Sequence, residues 1–358
     1  MCYAFGAMLT RRDLLQLLAL APLAAAGCRR TRALNLYNWG DYLAPEVVAR
    51  FVEQEEARGE RVDVRQDYFL GELEMVSRLS AGARYDAVFV IDYLLSRMQR
   101  EGLLAPLELA ALPGLAHLDP AFPAWRAKEK RGGKTFAVPY LWGVTGIGYD
   151  AEKVQEAPTS WKALFDPRYA GRISVLDSKG DVFDQALLAS GLDINSRDKV
   201  ALRERVYPML QAQRKLLRAY DADPVRALVA GETWLAQVDN GDLLRAQAQR
   251  PTLRFVIPEE GAAQWVDYLT VPARSSEPQL AHRFLQHLLD PEVAALNANH
   301  LRFATPNRAA LASGKVRDAG DPQVYPDEAT RTRLFRSQDW QGGTGALVEE
   351  LWLELRSR

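Results

Sequence analysis

Ala87-Val-Phe-Val-Ile91 is a run of five apolar residues, three of them β-branched. A strand with one wet face alternates apolar and polar residues. A run without alternation reads as a strand covered on both faces, as in sheets flanked by helices on each side. Upstream, Leu34-Asn-Leu-Tyr37 alternates like a short strand, and Arg61-Val-Asp-Val64 reads as another. Between these strands the apolar spacing changes from two to three or four. Val47, Val48, Phe51 and Val52 fall on one face of a helix from Pro45 to Ala57, and Gly71 to Ala81 reads as a second helix. Alternation of strand and helix predicts α/β units with a mostly parallel sheet.

The same texture resumes after residue 140. Pro158-Thr-Ser-Trp161 opens a helix, Ile173-Ser-Val-Leu176 is a strand, and a long helical stretch is expected from about Arg197 to Leu217. Asp223-Pro224 and Asp290-Pro291 each join a capping aspartate to proline at the first helical position. Arg254-Phe-Val-Ile257 and Trp265 to Val271 are further strands. There is no internal repeat and no low-complexity linker. Two α/β blocks in 358 residues suggest two lobes joined by strand-like crossings.

Composition excludes several classes. Forty-eight per cent hydrophobic and 25% charged residues rule out a disordered chain and a polytopic membrane protein. With 45 basic and 46 acidic side chains the net charge is −1, so no basic surplus is available to hold a nucleic-acid backbone. Two cysteines and four histidines leave little material for metal sites or disulfides. Aromatics are plentiful, at 8 Trp, 13 Tyr and 12 Phe.

The first 27 residues read as an address. Arg11-Arg12 precedes an apolar run from Leu14 to Ala26, too short to cross a bilayer and of the size of a signal-peptide core. It ends in Ala25-Ala26-Gly27-Cys28, which resembles the cleavage and lipidation site of bacterial lipoproteins. Acylated Cys28 would anchor the chain to a membrane and exclude a disulfide. The start could be Met1 or Met8.

Enzyme templates are missing. The sequence has no G-x-S-x-G elbow, H-E-x-x-H pair or phosphate-binding loop, and Gly143-Val-Thr-Gly-Ile-Gly148 is not the dinucleotide fingerprint. His117, His282, His287 and His300 lack ligand spacing and are expected to be structural or surface residues. What recurs is an aromatic next to an aspartate: Trp39-Gly-Asp41-Tyr42 after the first strand, Asp92-Tyr93 after the third, and Trp265-Val-Asp267 with both side chains on one strand face. Ring faces cover methylenes and attract ammonium groups, and carboxylates accept charged hydrogen bonds. Loops after strand ends are where open α/β sheets bind ligands. The pattern fits a pocket for a cation, or equally core tryptophans with capping aspartates.

From about Leu34 onward the chain resembles the periplasmic spermidine/putrescine-binding proteins of bacterial ABC importers. The landmarks are Tyr37-Asn-Trp-Gly-Asp-Tyr42, Val138-Pro-Tyr-Leu-Trp-Gly143, Thr159-Ser-Trp161, Pro167-Arg-Tyr-Ala-Gly171, Trp265-Val-Asp267, Ala304-Thr-Pro-Asn307 and Asp339-Trp-Gln341. The resemblance implies an α/β, two-lobed periplasmic binding protein fold (type II-like) with a hinge between the lobes. It puts residues 33–140 plus 268–325 in one lobe and 141–267 plus 326–358 in the other, with the ligand between them. By the same likeness Trp39, Tyr42, Tyr93 and Trp265 would box an aliphatic chain. Asp181 and Asp267 would take ammonium groups, and Gln341 would add a neutral hydrogen bond.

Several positions depart from the family pattern. Gly40 and Ile91 replace small hydroxyl residues, Asp92 replaces a threonine, Asp239 a tryptophan and Phe303 a tyrosine. An acidic position becomes Ser178, although Asp177 is adjacent and could shift in. A buried carboxylate without a partner is costly. Asp92 and Asp239, if turned inward, ask for extra cationic groups, or Arg302 and Lys179 could neutralise them. The expectation is a monomeric, lipid-anchored, extracytoplasmic binding protein that delivers a polyamine to permease subunits. No cofactor, no metal and no nucleic acid would be involved. Two alternatives stay open: a different cationic or amino-acid-like solute, and a polyamine sensor for a membrane signalling partner.

Overall fold

The computed structural model describes residues 31–120 and 130–357. The expected leader and Cys28 lie outside the described residues. In chain order the strands are β1 (Arg32–Asn38), β2 (Val62–Tyr68), β3 (Ala87–Ile91), a small hairpin β4–β5 (Lys130–Arg131, Lys134–Thr135), β6 (Ala137–Asp150), β7 (Ile173–Leu176), β8 (Leu217–Asp221), β9 (Leu235–Asp239), β10 (Leu253–Val256), β11 (Ala262–Thr270) and β12 (Leu334–Phe335). The principal helices are α1 (Pro45–Ala57), α2 (Glu72–Ser80), α3 (Asp92–Arg100), α4 (Lys179–Ala189), α5 (Tyr207–Arg214), α6 (Pro224–Val229), α7 (Asn240–Ala246), α8 (Pro278–Leu288), α9 (Pro291–Leu301) and α10 (Gly342–Ser357).

The apolar run is β3, and both its faces are covered. Val88 and Val90 join one core cluster with Tyr37, Trp142 and Phe183. Ala87 and Phe89 join another with Leu34, Phe51 and Phe284. Asp86, fully buried just before β3, accepts from the Asn35 backbone at 2.9 Å, from Ser275 Oγ at 2.8 Å and from the backbones of Ser276 and Glu277 at 3.0 Å. One short carboxylate thus ties the start of β3 to β1 and to the loop before α8.

The sheet runs β2-β1-β3-β11-β6-β9-β7-β8, with β10 added to β6 and β12 to β11. It is mixed, not mostly parallel. β1 is parallel to β2 and β3, and β7 to β8 and β9. At the centre β11 runs antiparallel to β3 and β6, and β6 antiparallel to β9 and β10, while the short β12 joins β11 in parallel. β6 pairs with β11 from Ala137 to Thr145 and with β9 from Thr145 to Tyr149, and β11 pairs with β3, so these two central strands together link the two parallel groups of this two-lobed fold.

β6 carries no alternation and no long apolar run, because Pro139 and three glycines interrupt it. The glycines answer close approaches. A Cβ on Gly143 would overlap Trp265 Cζ2, one on Gly146 would lie 2.6 Å from Phe255 Cζ, and one on Gly148 2.8 Å from Val238 Cγ2. Pro139 pairs with Tyr268 where the β6–β11 register shifts, a place where a missing N–H is tolerated.

Two helix expectations need correction. The stretch from Arg197 to Leu217 is broken into Lys199–Ala201, a π-helical turn at Leu202–Val206, and α5, and Leu217 already starts β8. Pro208 in the first turn of α5 cannot donate to a continuous helix from residue 197, and the wide turn takes up the mismatch. The Trp161 segment is a 3₁₀ helix, Trp161–Phe165, with Ser160 accepting from the Lys162 backbone at 3.1 Å. The histidines are structural or exposed, as expected. His282 Nε2 accepts from the Glu108 backbone at 2.9 Å, and the two ring nitrogens of His287 meet Gln54 and the Val47 carbonyl at 2.9 Å. His117 contacts the Leu289 carbonyl and His300 is exposed.

Candidate functional site

Strand ends and one bulge bring most of the proposed residues together. β3 ends at Ile91, directly opposite Asp267 of β11, so Asp92 and Tyr93 at the start of α3 lie beside Asp267. Asp267 sits where the β11 register against β6 slips, and such an irregularity re-aims a side chain. On the far side of β6, Thr145 pairs with Asp239 at the end of β9. Asp181 lies in the first turn of α4, where Ser178 caps the helix by accepting from the Asp181 backbone.

Asp239 Oδ1 accepts from Thr145 Oγ1 at 2.7 Å and from Trp265 Nε1 at 2.9 Å. Trp265 packs edge-on against Phe303 at 4.9 Å, and Phe303 meets Tyr42 at 6.1 Å. Tyr42 is held from behind by Tyr140, which donates to its carbonyl at 2.8 Å and lies 5.6 Å away ring to ring. Trp39 is half-buried against Phe69, 4.5 Å between centroids.

Asp267 is 3% exposed and Tyr42 7%. Among the described residues, neither Asp267 Oδ1 nor the Tyr42 hydroxyl has a partner within 3.5 Å, although the two side chains face each other closely enough to interact. Buried polar atoms without partners are rare because each forfeits its solvation. Burial pushes the Asp267 carboxyl up to about 7, eased by the facing Tyr42 and reinforced by Asp92 and Glu72. Burial pushes Asp239 up to about 8, with Asp242 and Asp181 adding to it. Asp181 rises to about 6 by burial, with Ser178 pulling the other way and Glu72 adding. The Tyr93 hydroxyl is raised by burial and by Glu72 and Asp181. These couplings define a single cluster of acids lined by rings.

Glu72, at the start of α2, belongs to that cluster and was not among the expected residues. Its only sequence signal is an acid in a first helical turn, which is ordinary for a helix start. Thr145 was missed for the same reason as β6 itself.

Other expectations need correction. Asp92 is neutralised by neither Arg302 nor Lys179. It binds Arg336, whose Nε and Nη2 lie 2.9 and 2.6 Å from Asp92 Oδ2. Arg302 caps the C-terminus of α9 with φ 57° and forms a two-armed pair with Asp318 at 2.8 and 2.9 Å. Lys179 pairs with Glu349 at 2.5 Å. Asp177 does not shift in, because it pairs with Arg356 of α10. Asp41 is exposed at a turn with φ 52°, and Gln341 is exposed just before α10, and among the described residues neither side chain is hydrogen-bonded or ion-paired to the cluster. A cavity of about 230 Å³, lined in part by Pro158, Thr159, Ser160, Lys162 and Asp166, shares no residue with these acids.

The arrangement has acceptors and rings but a shortage of donors around Asp267, which suits a cation with an aliphatic body. The profile of the family described as bacterial extracellular solute-binding protein matches residues 48–323. A putrescine-binding periplasmic protein of Escherichia coli (strain K12) is 31% identical over 347 residues, covering 91% of this chain and 92% of that one. A putrescine/cadaverine-binding protein of Pseudomonas aeruginosa is 28% identical, covering 96% and 99%. Among solved structures, a candidate spermidine/putrescine ABC transporter protein from Listeria monocytogenes is 28% identical with a TM-score of 0.81, covering 91% and 99%. With a sheet crossed by long central strands, a ringed acid cluster between them, and a profile match over most of its length, the chain belongs to the bacterial extracellular solute-binding protein family.

Proposed function

We propose that this protein binds a polyamine between its lobes and hands it to the permease of an ABC importer, without covalent chemistry. The observation that carries this is Asp267: a buried carboxylate with an oxygen lacking any partner within 3.5 Å, beside Tyr42 and within reach of Glu72 and Asp92. Such a group is unstable as an anion until a cation arrives. An ammonium supplies both the charge and the missing donors. Asp181 and Glu72 stand nearby for a second ammonium, and the rings of Tyr93, Trp39 and Trp265 suit the methylenes between. The names of the similar proteins agree with this chemistry.

We assign residues 33–140 plus 268–325 to one lobe and 141–267 plus 326–358 to the other. The passage of β6 and β11 between the two parallel strand groups supports that division. Closure of the lobes expels water, lowering the local dielectric and strengthening the ammonium–carboxylate pairs. We further assign Cys28 as the lipid-bearing first residue of an extracytoplasmic monomer, on the small residues and apolar run before it.

Titration calorimetry and thermal shift with putrescine, cadaverine and spermidine at pH 8 test the reading. Saturable binding and a dose-dependent rise in melting temperature are expected. Stabilisation by amino acids or guanidino compounds, and none by any polyamine, overturns it. Gly143→Ala gives a local check, because the added methyl overlaps Trp265 Cζ2 and displaces the indole from Asp239. Overpacking of this kind is expected to weaken polyamine binding about tenfold while the protein stays folded. Wild-type affinity in that variant would show that the Trp265–Asp239 contact has no part in binding.

A further inference from the structure

Arg336 brings a positive charge of the protein's own into the acid cluster. It follows β12, whose pairing with Ala262 and Ala263 of β11 aims the next residue across the sheet. The Arg336 carbonyl accepts from Asn195 Nδ2 at 3.0 Å and Ser337 donates to Asp184, so the segment is pinned at both residues. The guanidinium then turns onto Asp92, whose side chain is 2% exposed against 18% for Arg336. Tyr268 is a second hydrogen-bond partner of the guanidinium.

This changes what the cluster can accept. Asp92 acts on Asp267, Tyr93 and Asp184, so its partner stands at the edge of the same site. A guanidinium is always charged and cannot leave. It takes Asp92 out of the set of free acceptors and repels a further cation at that end. Asp239 Oδ1 is already engaged by Thr145 and Trp265. Those two donors are neutral, so Asp239 stays with Asp267, Asp181 and Glu72 among the cluster acids without an internal cation, and Asp92 alone of these five is paired with one. We propose that Arg336 is a specificity-determining residue: it occupies the Asp92 end of the acid cluster, so that the site takes a ligand with two ammonium centres and discriminates against one with three.

The proposal rests on the polyamine reading, and its test separates the two. Putrescine and spermidine are titrated by calorimetry into the wild type, Arg336→Gln and Arg336→Lys. The wild type is expected to prefer putrescine. In Arg336→Gln the ratio of spermidine to putrescine affinity is expected to rise about tenfold, since a like-charge contact is removed and Asp92 is released as an acceptor. Arg336→Lys keeps a cation beside Asp92 and is expected to hold the wild-type ratio. The double variant Asp92→Asn/Arg336→Gln removes both members of this ion pair and orphans neither, so it is expected to melt near the wild type and show an intermediate ratio. A wild type that prefers spermidine, or an Arg336→Gln that weakens both ligands equally, overturns the proposal while leaving polyamine binding in place. Failure of the wild type to bind either amine removes the polyamine reading and this inference with it.

Discussion

Asp267→Asn is expected to reduce putrescine affinity at pH 8 by about 100-fold, roughly 3 kcal/mol, because it strips the charge partner from a desolvated ammonium. The side chain is 3% exposed, so water cannot replace the lost carboxylate. The amide that replaces it keeps one acceptor oxygen but exchanges the other for an NH2 that only donates, as the ammonium does. Direct calorimetry gives the answer: an unchanged dissociation constant would falsify the role of Asp267. The same substitution is expected to leave the ligand-free protein at least as stable as the wild type at pH 8. The folded-state pKa of Asp267 is raised to about 7, above the ordinary carboxylate value, so the folded state keeps its proton longer than the unfolded state does. Stability from this group is therefore greatest at low pH and falls as pH rises from about 4 to about 7. The neutral amide carries no such penalty. Loss of affinity with no loss of stability separates a binding role from a structural one.

The second large effect is on pH. In the free protein Asp181, Asp267 and Asp239 titrate near 6, 7 and 8, each raised first of all by burial. A diammonium ligand favours their ionised forms. At pH 6 binding must expel protons, and at pH 8 most are already gone. Affinity for putrescine is expected to rise on the order of 100-fold from pH 6 to pH 8, then flatten until the amines lose their charge near pH 10. Calorimetry in buffers of different ionisation enthalpy is expected to register release of one to two protons per ligand near pH 6.5 and little above pH 8. Asp267→Asn is expected to flatten part of the slope. An affinity that does not vary between pH 6 and 8 would mean that these carboxylates are already ionised without ligand, or do not touch it.

Much of the fold is legible in one dimension where burial leaves a periodic mark. The Ala87–Ile91 run, the helix faces of α1 and α2, and the Asp-Pro starts of α6 and α9 each record a local cause. β6 is the opposite case. Its glycines exist because Trp265, Phe255 and Val238 press on its surface, and those residues lie about 90 or more positions away. Without knowledge of those neighbours, Gly-Val-Thr-Gly-Ile-Gly looks like a loop. The antiparallel centre of the sheet was hidden with it. The break at Pro208 was visible as a proline, but the π-helical turn that absorbs it depends on packing.

The candidate site divides in the same way. Residues in the aromatic–aspartate pattern, such as Tyr42, Asp92, Tyr93, Trp265 and Asp267, announce themselves by position, and the family likeness adds Asp181 and Asp239. By itself the sequence determined the lobed α/β class, the supply of aromatics and acids, and the leader-like start, because these follow from composition and local spacing. Only the tertiary structure decided which acids are answered from within. Arg336 reaches Asp92 across 244 residues, whereas Arg302, Lys179 and Asp177 are drawn off to Asp318, Glu349 and Arg356. Charge pairing depends on distance in space, and a carboxylate's need for a cation is set by burial. Neither quantity is written along the chain, and together they leave Asp267 as the acid that waits for a ligand.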